Sequence, residues 1–208
     1  SFDMGGASMS FDAEYSPNAT DAGAGDGGQG TYSNKFRQGL GLGVTLKYDA
    51  LAIGVYANER EGTDTSSTDA VNDAFGGVWY AKYSFGPVSV GYSQSYLDDG
   101  VPGTAEAATA AKAARTAAGI FESESMSIAF NVNDSLSVSY TETEDEYDSQ
   151  DNATTAVVDV VQDTSAFQVA YSMGAMSVKA YRMETKNPGY DSDASDTDVT
   201  EIALGLSF

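Results

Sequence analysis

The chain has 208 residues, with 31 acidic and 10 basic side chains, a net charge of -21, no cysteine and no histidine. That balance excludes nucleic acid as a partner, because phosphate contacts need clustered Lys and Arg. It also removes disulfides, thiolate metal sites and the commonest general base, and no run of residues approaches the roughly 18 apolar positions of a membrane helix.

Taken in order, Ser1-Phe2-Asp3 before Met4-Gly5-Gly6-Ala7 reads as the tail of a strand entering a tight turn, like Tyr171-Ser-Met-Gly-Ala-Met176 later on. No signal peptide opens the chain, so a mature or truncated sequence is expected, with the beginning of this first strand missing. The first full strand is predicted over Ala7–Tyr15, where Met9, Phe11, Ala13 and Tyr15 oppose Ser8, Ser10, Asp12 and Glu14. Period-two alternation is the mark of a strand whose two faces meet different surroundings. A Gly/Asp/Asn-rich loop runs to about Asn34.

The second strand, Phe36–Tyr48, sets Leu40, Leu42, Val44, Leu46 and Tyr48 against Arg37, Gly39, Gly41, Gly43, Thr45 and Lys47. After a turn at Asp49-Ala50, Leu51, Ile53, Val55 and Ala57 alternate with Gly54, Tyr56, Asn58 and Arg60. Polar residues Glu61 to Asp73 make the next loop. Val78–Phe85 follows, then a Gly86-Pro87 turn and a strand carrying Val88, Val90 and Tyr92 on one face. The longest loop is predicted from Asp98 to about Gly119. Met126, Ile128, Phe130 and Val132 mark the sixth strand, Asn133-Asp134 its turn, and Leu136, Val138 and Tyr140 the seventh. An acidic loop is expected from about Glu144 to Asp163. Phe167, Val169, Tyr171 and Met173 then define the eighth strand, and Met176, Val178 and Ala180 the ninth. The loop Asn187–Asp198 leads to the last strand.

Long polar connections thus alternate strictly with tight turns near Asp49, Gly86, Asn133 and Gly174. A soluble sandwich has no reason to gather its long loops at one end. A membrane barrel does, and aromatics near strand ends (Tyr15, Phe36, Tyr48, Phe85, Tyr140, Tyr171, Phe208) suit its interfacial girdles.

The chain ends Val199-Thr-Glu-Ile-Ala-Leu-Gly-Leu-Ser-Phe208, with Ile202, Leu204, Leu206 and Phe208 at a period of two. This ending resembles the C-terminal signal of Gram-negative outer-membrane barrels. Over essentially its whole length the chain is similar to a general bacterial porin of the alphaproteobacterial type. The resemblance implies an all-β, antiparallel transmembrane β-barrel, sixteen-stranded and trimeric, of which residues 1–208 supply about ten strands as the C-terminal portion. It also implies residence in the bacterial outer membrane, contact with lipid and lipopolysaccharide, and insertion by barrel-assembly machinery that reads Ile202, Leu204, Leu206 and Phe208. The function implied is passive diffusion of small hydrophilic solutes and ions, with the main constriction loop upstream of Ser1.

Parity places Asp12, Glu14, Arg37, Lys47, Arg60, Lys82, Lys179 and Glu201 on the inferred lumen face. A charge on the lipid face would cost about 2–4 kcal/mol at the midplane, so inward placement is favoured on energy as well. Bases opposed to acids would set a transverse field in the lumen; plain solvation of the wall is the alternative. Thr104–Gly119 is alanine-rich, with Glu106 early and Lys112 and Arg115 late, and predicts a helix in an external loop, read foremost as lying on the vestibule rim, with folding over or into the mouth the sharper option. The acids of Asp191–Asp198 and Glu142–Glu146 are read foremost as solvated loop; hard-oxygen binding of Ca²⁺ or Mg²⁺ is the sharper option, and no resident cofactor or metal site is expected. With no histidine and no catalytic motif an enzyme is not expected. The rival function is a structural or adhesive barrel with acidic external loops.

Overall fold

The computed structural model describes residues 2–3, 6–17, 36–62, 73–98, 120–148 and 159–206. Every regular element among them is a strand: β1 (Phe2–Asp3), β2 (Ala7–Ser16), β3 (Phe36–Tyr48), β4 (Leu51–Gly62), β5 (Ala74–Phe85), β6 (Val88–Asp98), β7 (Ile120–Asn133), β8 (Leu136–Asp148), β9 (Val160–Met173), β10 (Met176–Lys186) and β11 (Thr197–Leu206). They form one sheet in chain order, each strand antiparallel to the next. The architecture is therefore all-β, with ten long strands and a two-residue stub. Among the described residues β11 pairs with β10 and not with β2, so the sheet is not closed.

Four tight turns lie at one end. Asp49, Gly86 and Gly174 take positive φ there (51°, 55° and 57°), the bend a two-residue connection needs. At Asp134-Ser135 the Asn133 side chain does similar work, its Oδ1 accepting from the amides of Ser135 (2.8 Å) and Leu136 (3.0 Å). Three of these turns are also stitched to the following hairpin. The carbonyls of Ala50, Pro87 and Ser135 accept from the amides of Ser84, Asn131 and Ser172 at 2.8–3.1 Å.

Strand existence follows the alternation read above, but the loop-side ends do not. β8 runs on to Asp148 and β9 starts at Val160, through residues expected to form an acidic loop. Likewise β5 begins at Ala74, β7 at Ile120, and β10 extends to Lys186. In these extensions the alternation continues in polar residues, Glu142, Glu144 and Glu146 against Thr141, Thr143 and Asp145. Backbone pairing keeps them extended while the carboxylates stay in water. The predicted helix Thr104–Gly119 lies outside the described residues.

Candidate functional site

Partners opposite one another in an antiparallel ladder share a face, so the register sorts the whole sheet into two surfaces. Leu42, Val44, Ile53, Ile128, Val138, Val169 and Leu204 fall together on one, called here the apolar face. Gly41, Thr45, Ser127, Ser139, Gln168 and Ala203 fall on the other, the small-residue face. Away from Tyr147 and Val160, burial runs opposite to size. All described buried residues (Gly39, Gly43, Thr45, Gly54, Gly62, Ala74, Gly76, Tyr147, Val160 and Thr185) lie on the small-residue face. Of the large hydrophobic side chains left exposed, all but Val78 and Val199 lie on the apolar face, from Phe11 and Leu42 through Trp79 and Ile128 to Ile202 at 72% exposure, with Val132 set in the bulge between Asn131 and Asn133.

Register also reveals a slope. From Val44 the row of cross-strand partners runs through Val55 and Trp79 to Gln94, Glu124, Glu144 and Asp163. It leaves the apolar residues because their centre has moved toward the turn end, to Ile128 in β7 and Leu204 in β11. The drift is about one residue per strand; with a rise of about 3.3 Å and a strand spacing of about 4.8 Å, the apolar band crosses the strands at roughly 35° from their perpendicular. Above the band, Glu122 faces Glu146 and Glu124 faces Glu144 directly. Such like-charge pairs are tolerable only in water. Arg182 closes the band near β11 with a bidentate pair to Asp198 (2.9 and 2.7 Å).

On the small-residue face one row crosses all ten long strands: Ser10, Thr45, Gly54, Tyr80, Ser93, Ser125, Thr143, Thr164, Thr185 and Thr197. All but Gly54 carry a hydroxyl, and neighbours join, as in Ser125 to Thr143 at 3.0 Å and Thr164 to Thr185 at 3.4 Å. Two tyrosines lie flat against this surface. A Cβ on Gly43 would sit 2.4 Å from the Tyr56 ring, and one on Gly54 only 2.3 Å from the Tyr80 ring. Glycine opposite tyrosine thus lets each ring cover bare backbone, and the two rings stack at 6.5 Å and 11°. Beside them, Asp12, Glu14, Tyr56 and Asn58 border a depression of about 400 Å³ floored by Gly41 and Gly43.

The predicted wall charges Asp12, Glu14, Lys47, Arg60, Lys82, Lys179 and Glu201 all share the small-residue face. Arg37 stands in β3, but its side chain is outside the described set, as is Phe208; Ile202, Leu204 and Leu206 are exposed on the apolar face. Lys47 and Lys82 share one row, separated by Ala52. Glu201 accepts from the Tyr181 hydroxyl at 3.1 Å. Lys47, Arg60 and Lys82 gather on β3–β5 with Asp12 and Glu14 beside them on β2, whereas Lys179 and Glu201 lie on β10 and β11 at the other side of the sheet.

No known family model matches the chain, and no curated protein matches it significantly.

Sequence reasoning missed the hydroxyl row, the flat tyrosines and a cluster at the loop end. There Tyr147 (1% exposed) and Val160 (6%) pack with Phe121 and with Tyr190 from the β10–β11 connection. The first three could be placed only once β7, β8 and β9 were known to extend past their apolar residues. The one hint for Tyr190 was an aromatic in an otherwise small and acidic segment.

Proposed function

We propose that this chain forms wall of a water-filled transmembrane β-barrel in a bacterial outer membrane, through which small hydrophilic solutes and ions diffuse passively. The observation that carries the reading is the inverted polarity of the sheet. Outside the Tyr147–Val160 cluster at the loop end, the buried residues are small or hydroxylated, while Leu42, Val55, Phe85, Ile128, Phe167 and Leu204 stand exposed. Burying one such side chain is worth about 1.5–3 kcal/mol, so a contiguous face of them requires an apolar surround. A hydrocarbon layer supplies it, and the roughly 35° slope of the band falls at the lower end of the tilt of strands that cross a bilayer.

On the other face, glycines and hydroxyls leave room for water, and Lys47, Lys82, Lys179, Asp12 and Glu201 give it local charge. Such a wall conducts by hydration and repels apolar solutes. Acids above the band on β7 and β8 would meet the headgroup region, where lipopolysaccharide and its divalent counter-ions lie. Single-channel recording in planar bilayers tests the reading: ohmic steps support it. A correctly inserted but silent protein would favour the structural or adhesive barrel.

A further inference from the structure

β10 and β11 are neighbours, and a connection between them needs only a few residues. Instead the segment 187–196 folds away from β11 and lies over the loop end of β9, β8 and β7 on the small-residue face. Two hydrogen bonds fix its base: Asn187 Nδ2 donates to the Val161 carbonyl (2.9 Å), and the Gly189 amide to Gln162 Oε1 (2.8 Å). Its apex is Tyr190, whose ring centroid stands 5.8 Å from that of Tyr147 and 6.1 Å from that of Phe121; those two rings are 4.7 Å apart. Asn187, Gly189 and Tyr190 all take positive φ (48°, 73° and 59°). For a tyrosine that conformation costs energy and persists only when the surroundings hold it. Asp191 secures the return, its Oδ1 accepting from the Asp193 amide and its carbonyl from Ala194 (3.1 Å each).

The segment reaches across about three strand spacings, on the order of 14 Å of wall. We infer that it is a fixed restriction at the mouth of the pore, with Tyr190 setting the size of solute admitted from the loop side. The inference rests on the pore reading. A restriction held by packed rings and paired amides acts as a constant filter rather than a gate.

Tyr190→Ala and a variant with residues 188–194 replaced by a short glycine turn test it, both checked for the heat-modifiable folded form. Conductance and the size limit for neutral sugars in liposome swelling are then compared with wild type. Both variants should conduct about twofold more and admit larger sugars, since conduction follows pore radius. Tyr190→Cys gives an independent reading, because the chain has no other cysteine. A bulky thiol reagent should cut its current and leave a Val44→Cys control unaffected. Unchanged conductance and sugar limit in folded variants, or a modified Cys without effect on current, would overturn the restriction while leaving the pore intact. If wild type and all variants are equally silent, the pore reading itself fails.

Discussion

The two faces of this sheet obey opposite rules although they alternate residue by residue along the same strands. On the small-residue face, packing is close enough that an added methyl at Gly54 would collide with Tyr80, and the hydroxyls find one another. On the apolar face, Tyr83 and Phe85 or Trp79 and Tyr92 have ring centroids 6.0 and 5.2 Å apart, yet Trp79, Tyr83 and Phe85 remain exposed and Tyr92 is only half-buried. Internal contact stabilises the first, whereas the second has little within the described residues to cover it. On the proposed reading, stability is then a property of protein and surroundings together.

The sharpest way to break that contrast is to place the same charge on each face. Ile128→Arg, at the centre of the apolar band, should cost about 2–4 kcal/mol in a bilayer and abolish most of the folded form. Ser139→Arg, on the other face, should refold nearly as wild type in urea titrations from lipid vesicles. Comparable losses in both would remove the distinction. Deleting Phe208 should next reduce the heat-modifiable species in cells, because an aromatic ring belongs at the membrane interface and the resemblance makes it the residue read during insertion; unchanged yield would count against that role.

Smaller effects sharpen the account of the packed face. Gly54→Ala must displace the Tyr80 ring and should cost about 1–3 kcal/mol. Gly41→Ala, where the nearest atom to a new Cβ is 3.7 Å away, should be close to neutral. Thr143→Val, which removes one member of the hydroxyl row, should cost only about 0.5–1.5 kcal/mol. Charge reversal of Lys47 and Lys82 together should leave stability almost unchanged while moving the zero-current potential in a salt gradient toward cations. An unmoved potential would mean that this pair does not face the conducted ions.

Strand number and the parity of each side chain were legible in the sequence, because a period of two leaves no freedom once Leu42-Gly43-Val44-Thr45 is written. Strand ends on the loop side were not. Glu142 to Glu146 and Asp163 carry the same alternation in polar residues, and nothing local separates a solvated strand from a solvated loop. The candidate charges Lys47, Lys82 and Glu201 share a single face for the same parity reason. The hydroxyl row and the Gly–Tyr pairs needed the register between strands, a long-range quantity. Packing of Tyr190 on Phe121 joins residues far apart in the chain, which propensity and periodicity do not encode.

The constant drift of the apolar band has a consequence for how such a wall can change. Because the band shifts by about the same amount at each strand, and three of the four tight turns are tied to the hairpin after them, a hairpin can be added or deleted as a unit. Doing so leaves slope and band height as they were and alters only the circumference. On the proposed reading, pore diameter would then vary by whole hairpins, by duplication or loss of a segment of DNA, without renegotiating the fit to the membrane. Thickness is written in every strand, whereas width is written only in how many times the pattern repeats.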